Sequence, residues 1–342
     1  ELSKNVGATD EEIKELTELF FISLNFDTDI YLGVQTGDNG QSMVLGGMTP
    51  DGEDGANALT EICLAASEEL KLIDPKINLR VNERTPISVY ERGTRLTKQG
   101  LGFPQYMNDD VVIPALTAWG YDERDARNYA VAACWEFIMS GNAADIPNAA
   151  SLNFPLSVER ATKKLGECRD FDEFTELVRH EVKAQVDELT RQHLEHLDNP
   201  DLDPFVSAFV GDCIRNKKDV RRGGAKYNNS GLNVTGLATA VDSLMAIKWL
   251  VFDERRVTLG EFTEILKNDW RGADELRLKA TQSDCYGNGR EAVDALYTDL
   301  YDYIGGLFNG KRNGRNGLFR MGAFSIDNCF WLGKGTAASA DG

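Results

Sequence analysis

The stretch YAVAACWEFIMSGNAADIPNAASLN, from Tyr129 to Asn153, determines the fold and the chemistry that we expect of this chain. The apolar run 130–133 leads directly to Cys134, and Glu136 follows two positions later. In an extended backbone, residues two positions apart project from the same side, and the intervening Trp135 projects from the other. The sequence therefore predicts a thiol and a carboxylate side by side, at the end of a run that is apolar enough to be buried.

Burial would give these two groups their chemistry. A dry environment raises the pKa of a thiol and of a carboxyl group, because it disfavours their charged forms. A neutral thiol beside a carboxyl group that exchanges protons near neutral pH is a sulfur reagent with an acid/base partner. The alternative interpretation is a strand with a core cysteine and a glutamate at its rim, since cysteine is among the most buried residue types.

Composition excludes several classes of protein. The 342 residues are 42% hydrophobic, which indicates a globular chain with a large core in one or two domains. The net charge of −18 disfavours a nucleic-acid partner, because phosphate binding needs a basic surface. No apolar stretch reaches membrane-spanning length and no secretory signal opens the sequence, so we expect a cytoplasmic protein without membrane association.

The cysteines indicate the redox compartment of the protein, and the two ends of the sequence indicate its extent. The six cysteines are scattered and form no C-x-x-C pair, a usage typical of a reducing compartment without disulfides or a thiolate zinc site. The chain begins at Glu1 and ends at Asp341-Gly342 in a loop-like sequence. We therefore expect a piece of a longer protein.

Helical patterns alternate with short strand patterns along the chain. Apolar spacing predicts helices over residues 10–26, 56–70, 86–98, 110–119, 122–129, 154–165, 171–196, 235–251, 258–266 and 291–307. Strands are predicted over 77–81, where apolar and polar residues alternate as in a half-buried strand, over 318–324, and just before Pro104. Residues 33–55 are glycine-rich and predicted to be irregular. The alternation predicts a mainly parallel α/β sheet, open or closed.

Two other motifs have structural interpretations. Residues 40–55 contain paired glycines but lack G-x-x-x-x-G-K-[ST], so turns are predicted there and not a phosphate-binding loop. The three histidines, His180, His193 and His196, share one predicted helix. Their polar surroundings predict a solvated helix face, and a metal site would need more ligands.

Four blocks of the sequence resemble the glycyl radical enzymes, the pyruvate formate-lyase superfamily. Tyr129–Asn153 resembles the cysteine loop of that family, and Gly40–Pro86 resembles the stretch before it. Arg222–Glu254 resembles the family's R/K-Y-N-x-x-G segment and the helix that follows it. Phe319–Gly342 resembles the run just before the family's conserved Asp-Gly-Arg. The resemblance implies a ten-stranded α/β barrel around the cysteine loop, of which residues 1–342 form part of one catalytic domain.

The resemblance also implies a radical mechanism. In this family a glycyl radical generates a thiyl radical on the cysteine that matches Cys134, which takes a hydrogen atom from a small-molecule substrate. Glu136 matches the C-x-E pattern of members that eliminate a leaving group, and would transfer the proton. The radical glycine lies outside this chain and is installed by an iron–sulfur activating enzyme that uses S-adenosylmethionine. The R-V-x-G-Y motif is absent here, so we expect this fragment alone to be inactive. The resemblance also implies a homodimer, and we expect no cofactor bound to this chain.

Departures from the family patterns narrow the expected reaction. The formate-lyase branch carries two adjacent cysteines, whereas Cys134 lies between Ala133 and Trp135, which disfavours formate acetyltransferase activity. Diol dehydratases place an aspartate where this chain has Asn148 and a proline where it has Phe137. An amide can hydrogen-bond but cannot take a proton. Glycerol and propanediol are therefore disfavoured as substrates.

The sequence thus predicts an enzyme that cleaves a carbon–heteroatom bond, with decarboxylation as an alternative. Asn148 and Phe137 are its expected substrate contacts, although core packing explains Phe137 equally well. The second hypothesis is not enzymatic: a radical-dead barrel that serves as a scaffold or binding protein.

Overall fold

The computed structural model describes residues 5–26, 38–132, 134–164, 168–197, 201–323 and 329–342. The chain forms two compact units, residues 1–143 and residues 144–342, which we describe separately. Each unit contains a three-stranded parallel sheet with helices packed on it.

The sheet of the first unit has β2 (Lys76–Val81) between β1 (Ser42–Gly46) and β3 (Gln105–Asn108). A separate antiparallel hairpin follows, formed by β4 (Tyr129–Ala132) and β5 (Glu136–Met139). The helices of this unit are α1 (Asp10–Ser23), α2 (Ala58–Leu70), α3 (Ile87–Thr97), α4 (Asp109–Ala118) and α5 (Glu123–Arg127). Helix α1 begins as predicted, with Thr9 and Glu12 forming a reciprocal capping box.

The two faces of β2 differ in chemistry although all six residues are buried. Ile77, Leu79 and Val81 pack into an apolar core with residues of α2 and α3. Lys76 and Arg80 lie on the other face, where alternation places every second side chain. The strand itself was predicted correctly, but the prediction that its polar face is solvated was wrong, because this face is buried. Its charges are paired within the first unit, Lys76 with Asp38 and Arg80 with Asp109.

The sheet of the second unit has β7 (Ser230–Thr235) between β6 (Ile146–Asn153) and β8 (Phe319–Ala323). Its apolar face packs on a large core of helical residues. The helices are α6 (Phe154–Thr162), α7 (Phe171–Leu197), α8 (Pro204–Phe209), α9 (Cys213–Asn216), α10 (Leu237–Ile247), α11 (Leu259–Lys267), α12 (Asp274–Ala280), α13 (Glu291–Phe308) and α14 (Cys329–Gly333). Across the described ranges, no helix is both long enough and apolar enough to span a bilayer.

The predicted helices agree with the structure to within a few residues, whereas the strands agree less well. The prediction over 77–81 is confirmed by β2 and that over 318–324 by β8. The strand expected before Pro104 begins after it, at Gln105. The strands β1, β4, β5, β6 and β7 were not among the predicted ranges. Strand β1 lies in the glycine-rich stretch predicted to be irregular, of which residues 33–37 lie outside the described residues, while β6 carries asparagine and β7 both asparagine and glycine.

One of the three histidines is not on a solvated surface. His180 and His196 are exposed as predicted, but His193 is half-buried, with its Nε2 atom 3.0 Å from Oγ of Ser230. The Asn313 side chain donates a hydrogen bond to the same Oγ atom, at 2.8 Å. The Ser230 hydroxyl can therefore donate its own hydrogen to a neutral His193 ring.

We expect this histidine to make the fold acid-sensitive. Burial and the nearby charge of Arg315 lower the pKa of His193, so the unfolded chain binds this proton more readily than the folded chain. The stability from the neutral ring is therefore fully present above about pH 6.5 and is lost as the pH falls towards the folded pKa. Between pH 7 and pH 5, His193→Gln should lose less unfolding free energy than wild type. The difference should be less than about 1 kcal/mol, because the group is only half-buried. Urea unfolding of both proteins at the two pH values measures the difference, and equal losses would contradict the assignment.

Candidate active site

The cysteine lies in the turn of a β-hairpin. Strands β4 and β5 pair in antiparallel register, with Ala132 opposite Glu136 and Val131 opposite Phe137. Cys134 and Trp135 form the turn between them, and Ala133 lies outside the described residues. The prediction of an extended backbone through Cys134 and Glu136 was therefore wrong, because the chain reverses direction between them.

The Glu136 side chain closes this turn. Its Oε2 atom accepts hydrogen bonds from the backbone N–H groups of Cys134 (2.8 Å) and Trp135 (2.9 Å). These amides belong to a turn without glycine, proline or asparagine, and the carboxylate supplies an acceptor that strand pairing does not. The carboxylate is thus fixed against the backbone of Cys134, although not by the geometry that the sequence predicted.

Cys134 is more exposed than predicted, yet its thiol is held in the neutral form. The residue is exposed in this chain, so the prediction of a buried cysteine was wrong for the chain as it stands. Partial desolvation and then the charge of Glu136 raise the pKa of the thiol. The cation of Lys76 opposes this effect, and the carboxylate of Asp38 adds to it. The thiol therefore keeps its hydrogen at neutral pH, as predicted, but with contributions from charged groups as well as from burial.

A buried ion pair lies where the hairpin begins. Arg80 is 5% exposed and donates to both carboxylate oxygens of the fully buried Asp109, with Nε–Oδ1 at 3.0 Å and Nη2–Oδ2 at 2.7 Å. The same guanidinium donates to the carbonyl oxygens of Arg127 (2.8 Å) and Tyr129 (3.1 Å). Arg80 thereby ties β2 to the chain entering β4.

Tyr129 completes this network. Its hydroxyl donates to Oδ1 of Asp109 at 2.7 Å, and its ring lies 3.9 Å from the Arg80 guanidinium carbon. Burial and the hydrogen bond to Asp109 raise the pKa of Tyr129, so it stays neutral. The first residue of the cysteine hairpin is thus fixed by a charge-assisted network.

The glycine-rich stretch makes room for this network at position 47. A Cβ atom on Gly47 would lie 2.6 Å from Nε of Arg80, and the residue has a φ of +88°. The next backbone N–H, that of Met48, donates to Oδ2 of Asp109 at 2.6 Å. Glycine at position 47 therefore permits a close approach of backbone to the buried ion pair.

The other predicted site residues lie in different surroundings. Phe137 is half-buried and packs edge-to-face on Tyr129, with ring centroids 5.3 Å apart, which favours the packing interpretation. Asn148 belongs to the second unit, where it is exposed on β6 and its Oδ1 atom accepts from the Asn233 side chain at 2.5 Å. The first unit therefore brings together Cys134, Glu136 and Phe137.

Sequence reasoning missed the residues that fix the hairpin: Arg80, Asp109 and Tyr129. A charged residue in the buried strand β2 was a signal, because a buried cation needs a partner. Nothing local identified that partner, since Asp109 lies 29 positions away at the start of a helix.

Comparison with known proteins agrees with this architecture. The sequence pattern of the family described as "Pyruvate formate lyase-like" matches residues 3–333. The match covers nearly the whole of this chain, including both parallel α/β units and the cysteine hairpin. The chain belongs to the pyruvate formate lyase-like family.

Individual relatives are dehydratases. The chain is 30% identical to (2S)-3-sulfopropanediol dehydratase of Klebsiella oxytoca, over 99% of this chain and 44% of that protein. It is 26% identical to trans-4-hydroxy-L-proline dehydratase of Clostridioides difficile, over 87% of this chain and 40% of that protein. The chain therefore spans less than half the length of the curated relatives that it matches.

A solved structure confirms the predicted fold class. The glycerol-bound B12-independent glycerol dehydratase from Clostridium butyricum superposes with a TM-score of 0.88 at 28% identity. The match covers 98% of this chain and 45% of that one. The prediction of an α/β fold of the pyruvate formate-lyase type, incomplete in this chain, is confirmed.

Proposed function

We propose that this chain is part of a glycyl radical enzyme that cleaves a carbon–heteroatom bond in a small organic substrate. The observation that carries the proposal is the hairpin turn, where the Glu136 carboxylate is hydrogen-bonded to the backbone N–H of Cys134 and the pKa of the Cys134 thiol is raised. The names of the relatives from K. oxytoca and C. difficile support a dehydratase.

Cys134 would exchange hydrogen atoms with the substrate. The family's glycyl radical, installed by a separate activating enzyme, would take the hydrogen atom of the thiol, which forms the glycine C–H bond and leaves a thiyl on Cys134. The Cys134 sulfur then takes a hydrogen atom from a substrate carbon, which forms S–H and leaves a carbon radical. After elimination, the product radical takes the hydrogen back and the thiyl is restored. A neutral thiol suits this exchange, because the hydrogen that it gives up must be present.

Glu136 would move the proton that elimination requires. A hydroxyl or amine leaves readily only when it is protonated, and a carboxylic acid at the turn can donate that proton. The carboxylate recovers the proton from the substrate or from water, so the cycle balances. Its two backbone hydrogen bonds fix its position for this transfer.

The remaining parts of the proposal concern the whole protein. We propose a cytoplasmic homodimer that needs the activating enzyme, and Asn148 as a polar contact for the substrate. Trp135 beside Cys134 continues to disfavour formate acetyltransferase activity, because that route uses two adjacent cysteines. An encoded glycine motif beyond residue 342 distinguishes the enzyme from a scaffold.

Glu136→Gln tests the role of the carboxylate. The amide oxygen can still accept the two turn N–H groups, so the hairpin should survive, but the side chain can no longer carry the proton. We expect kcat to fall by about 10²–10⁴-fold in the activated whole enzyme, with an unchanged glycyl radical signal. Glu123→Gln, at an exposed glutamate of α5, is the matched control. Unaltered kcat in Glu136→Gln would remove the glutamate from the mechanism.

A further inference from the structure

The second unit carries an apolar surface that the proposed mechanism does not use. Helix α8 buries none of its residues. Four apolar side chains in and beside this helix are each more than half exposed: Leu202, Phe205, Phe209 and Ile214. The rings of Phe205 and Phe209 pack on each other, with centroids 5.1 Å apart. Together the four side chains expose on the order of 500 Å², which is at the upper end for an apolar patch on a monomer.

This segment is fixed in place by contacts on its other side. Oδ2 of Asp219 accepts hydrogen bonds from Oγ of Ser207 and from the backbone N–H of Asp203, each at 3.0 Å. The Ser207 hydroxyl in turn accepts the backbone N–H of Val220 at 2.9 Å. Val220 and Cys213 are buried together in a small core of their own. The packing needs of the segment are therefore met internally, and its exposed apolar side chains are left over.

Cations border this apolar surface. Nη2 of Arg221 lies 3.7 Å from Oδ2 of Asp203, the residue that precedes α8. Residues 202–222, which we call the basic patch, contain five exposed cations: Arg215, Lys217, Lys218, Arg221 and Arg222. This cluster contrasts with the net charge of −18 of the whole chain. A partner that fits the basic patch therefore needs both an apolar stripe and negative charge.

Helix α1 of the first unit has the complementary character. Its sequence, DEEIKELTELFFIS, contains five acidic residues and one lysine. Phe21 is its buried residue, whereas Leu16, Leu19 and Phe20 are each more than half exposed. These three side chains are spaced at i, i+3 and i+4, so they share one face of the helix. Helix α1 thus presents an acidic and apolar face that packing within the first unit does not cover.

We propose that two copies of this chain bind each other reciprocally, with helix α1 of each copy on the basic patch of the other. Opposite charges and apolar side chains meet in this contact, whereas two basic patches or two acidic helices would repel each other. A reciprocal contact closes after two copies, because both surfaces of each copy are then occupied. This inference rests on the proposed function in one respect, since it gives the proposed homodimer an interface.

Charge reversal on each surface gives a test in the 342-residue chain itself. Sedimentation velocity from about 1 to about 100 µM should show a dimer that forms in the micromolar range. Lys218→Glu with Arg222→Glu reverses charge on the basic patch, and Glu11→Lys with Glu15→Lys does so on α1. Each double variant alone should dimerise at least about tenfold more weakly than wild type. An equimolar mixture of the two should regain the dimer, because both contacts then join opposite charges again.

The control and the mixture separate this interface from other causes of association. Arg95→Glu with Lys98→Glu, at exposed cations of the first unit, should dimerise like wild type. A wild-type chain that stays monomeric at about 100 µM would overturn the proposal and leave the basic patch to another acidic partner. Association that continues beyond the dimer would also overturn it, as would a mixture that associates no better than its two components.

A second set of variants covers a failure to fold. If circular dichroism shows that a charge-reversal variant is unfolded, the corresponding glutamine variants, which only remove the charges, should weaken the dimer in the same direction. Dimerisation equal to wild type in those variants would contradict the interface. The assay needs neither radical nor substrate, so its failure is distinct from a failure of the proposed chemistry, which turnover of Cys134 variants reports.

Discussion

Cys134→Ser should abolish turnover of the whole activated enzyme while leaving the glycyl radical signal intact. Serine keeps the size and hydrogen-bonding capacity of the side chain, so the turn closed by Glu136 should persist. An O–H bond is much stronger than an S–H bond, so the hydroxyl cannot relay the hydrogen atom. We expect a loss of at least about 10³-fold in kcat, typical of removing a group that reacts covalently with substrate.

The measurement pairs two readouts on one sample. Electron paramagnetic resonance reports the radical, and substrate consumption reports turnover. Cys285→Ser is the control, since that cysteine lies in the second unit, where its thiol donates to the carbonyl of Ser283. Normal turnover in Cys134→Ser would refute the proposed function.

Among the variants proposed for this chain, Arg80→Met should cause the largest loss of unfolding free energy. The substitution keeps the length and apolar stem of the side chain but leaves the fully buried carboxylate of Asp109 without its counter-ion. Breaking a buried pair in this way costs about 3–5 kcal/mol of unfolding free energy. Tyr129 would lose its cation contact as well, so amide hydrogen exchange in β4 should accelerate.

A second variant tests whether charge is the cause. Adding Asp109→Asn to Arg80→Met removes the uncompensated carboxylate, so the double variant should recover part of the lost stability. Lys183→Met, which breaks an exposed ion pair with Asp187, should leave the urea midpoint unchanged. If Arg80→Met unfolds like wild type, the network does not anchor the hairpin.

Helices could be predicted from the sequence because their signals are local. The apolar spacing of 291–307 and the capping residues Thr9 and Glu12 lie within a few turns of the structure that they specify. The thiol and the carboxylate were also identified from their spacing and from the family resemblance. Each of these inferences used residues that are close together in the chain.

Two of the missed features depend on residues that are far apart in the chain, and a third depends on a side chain that closes its own turn. Strand β1 pairs with β2 more than thirty positions away, and its composition alone gave no sign of it. The hairpin turn lacks the usual turn residues because the Glu136 side chain satisfies its amides. The Arg80–Asp109 pair likewise joins residues that no periodic pattern connects.

The two roles of Glu136, closing the turn and the proposed transfer of a proton, would affect each other in every catalytic cycle. Hydrogen bonds to a charged oxygen are roughly twice as strong as those to a neutral one. A proton on this side chain would weaken its hydrogen bonds from the two turn amides, and loss of the proton would strengthen them again. One side chain would therefore link proton transfer to the turn that presents the sulfur, and glutamine at this position would keep the turn while it removes the transferable proton.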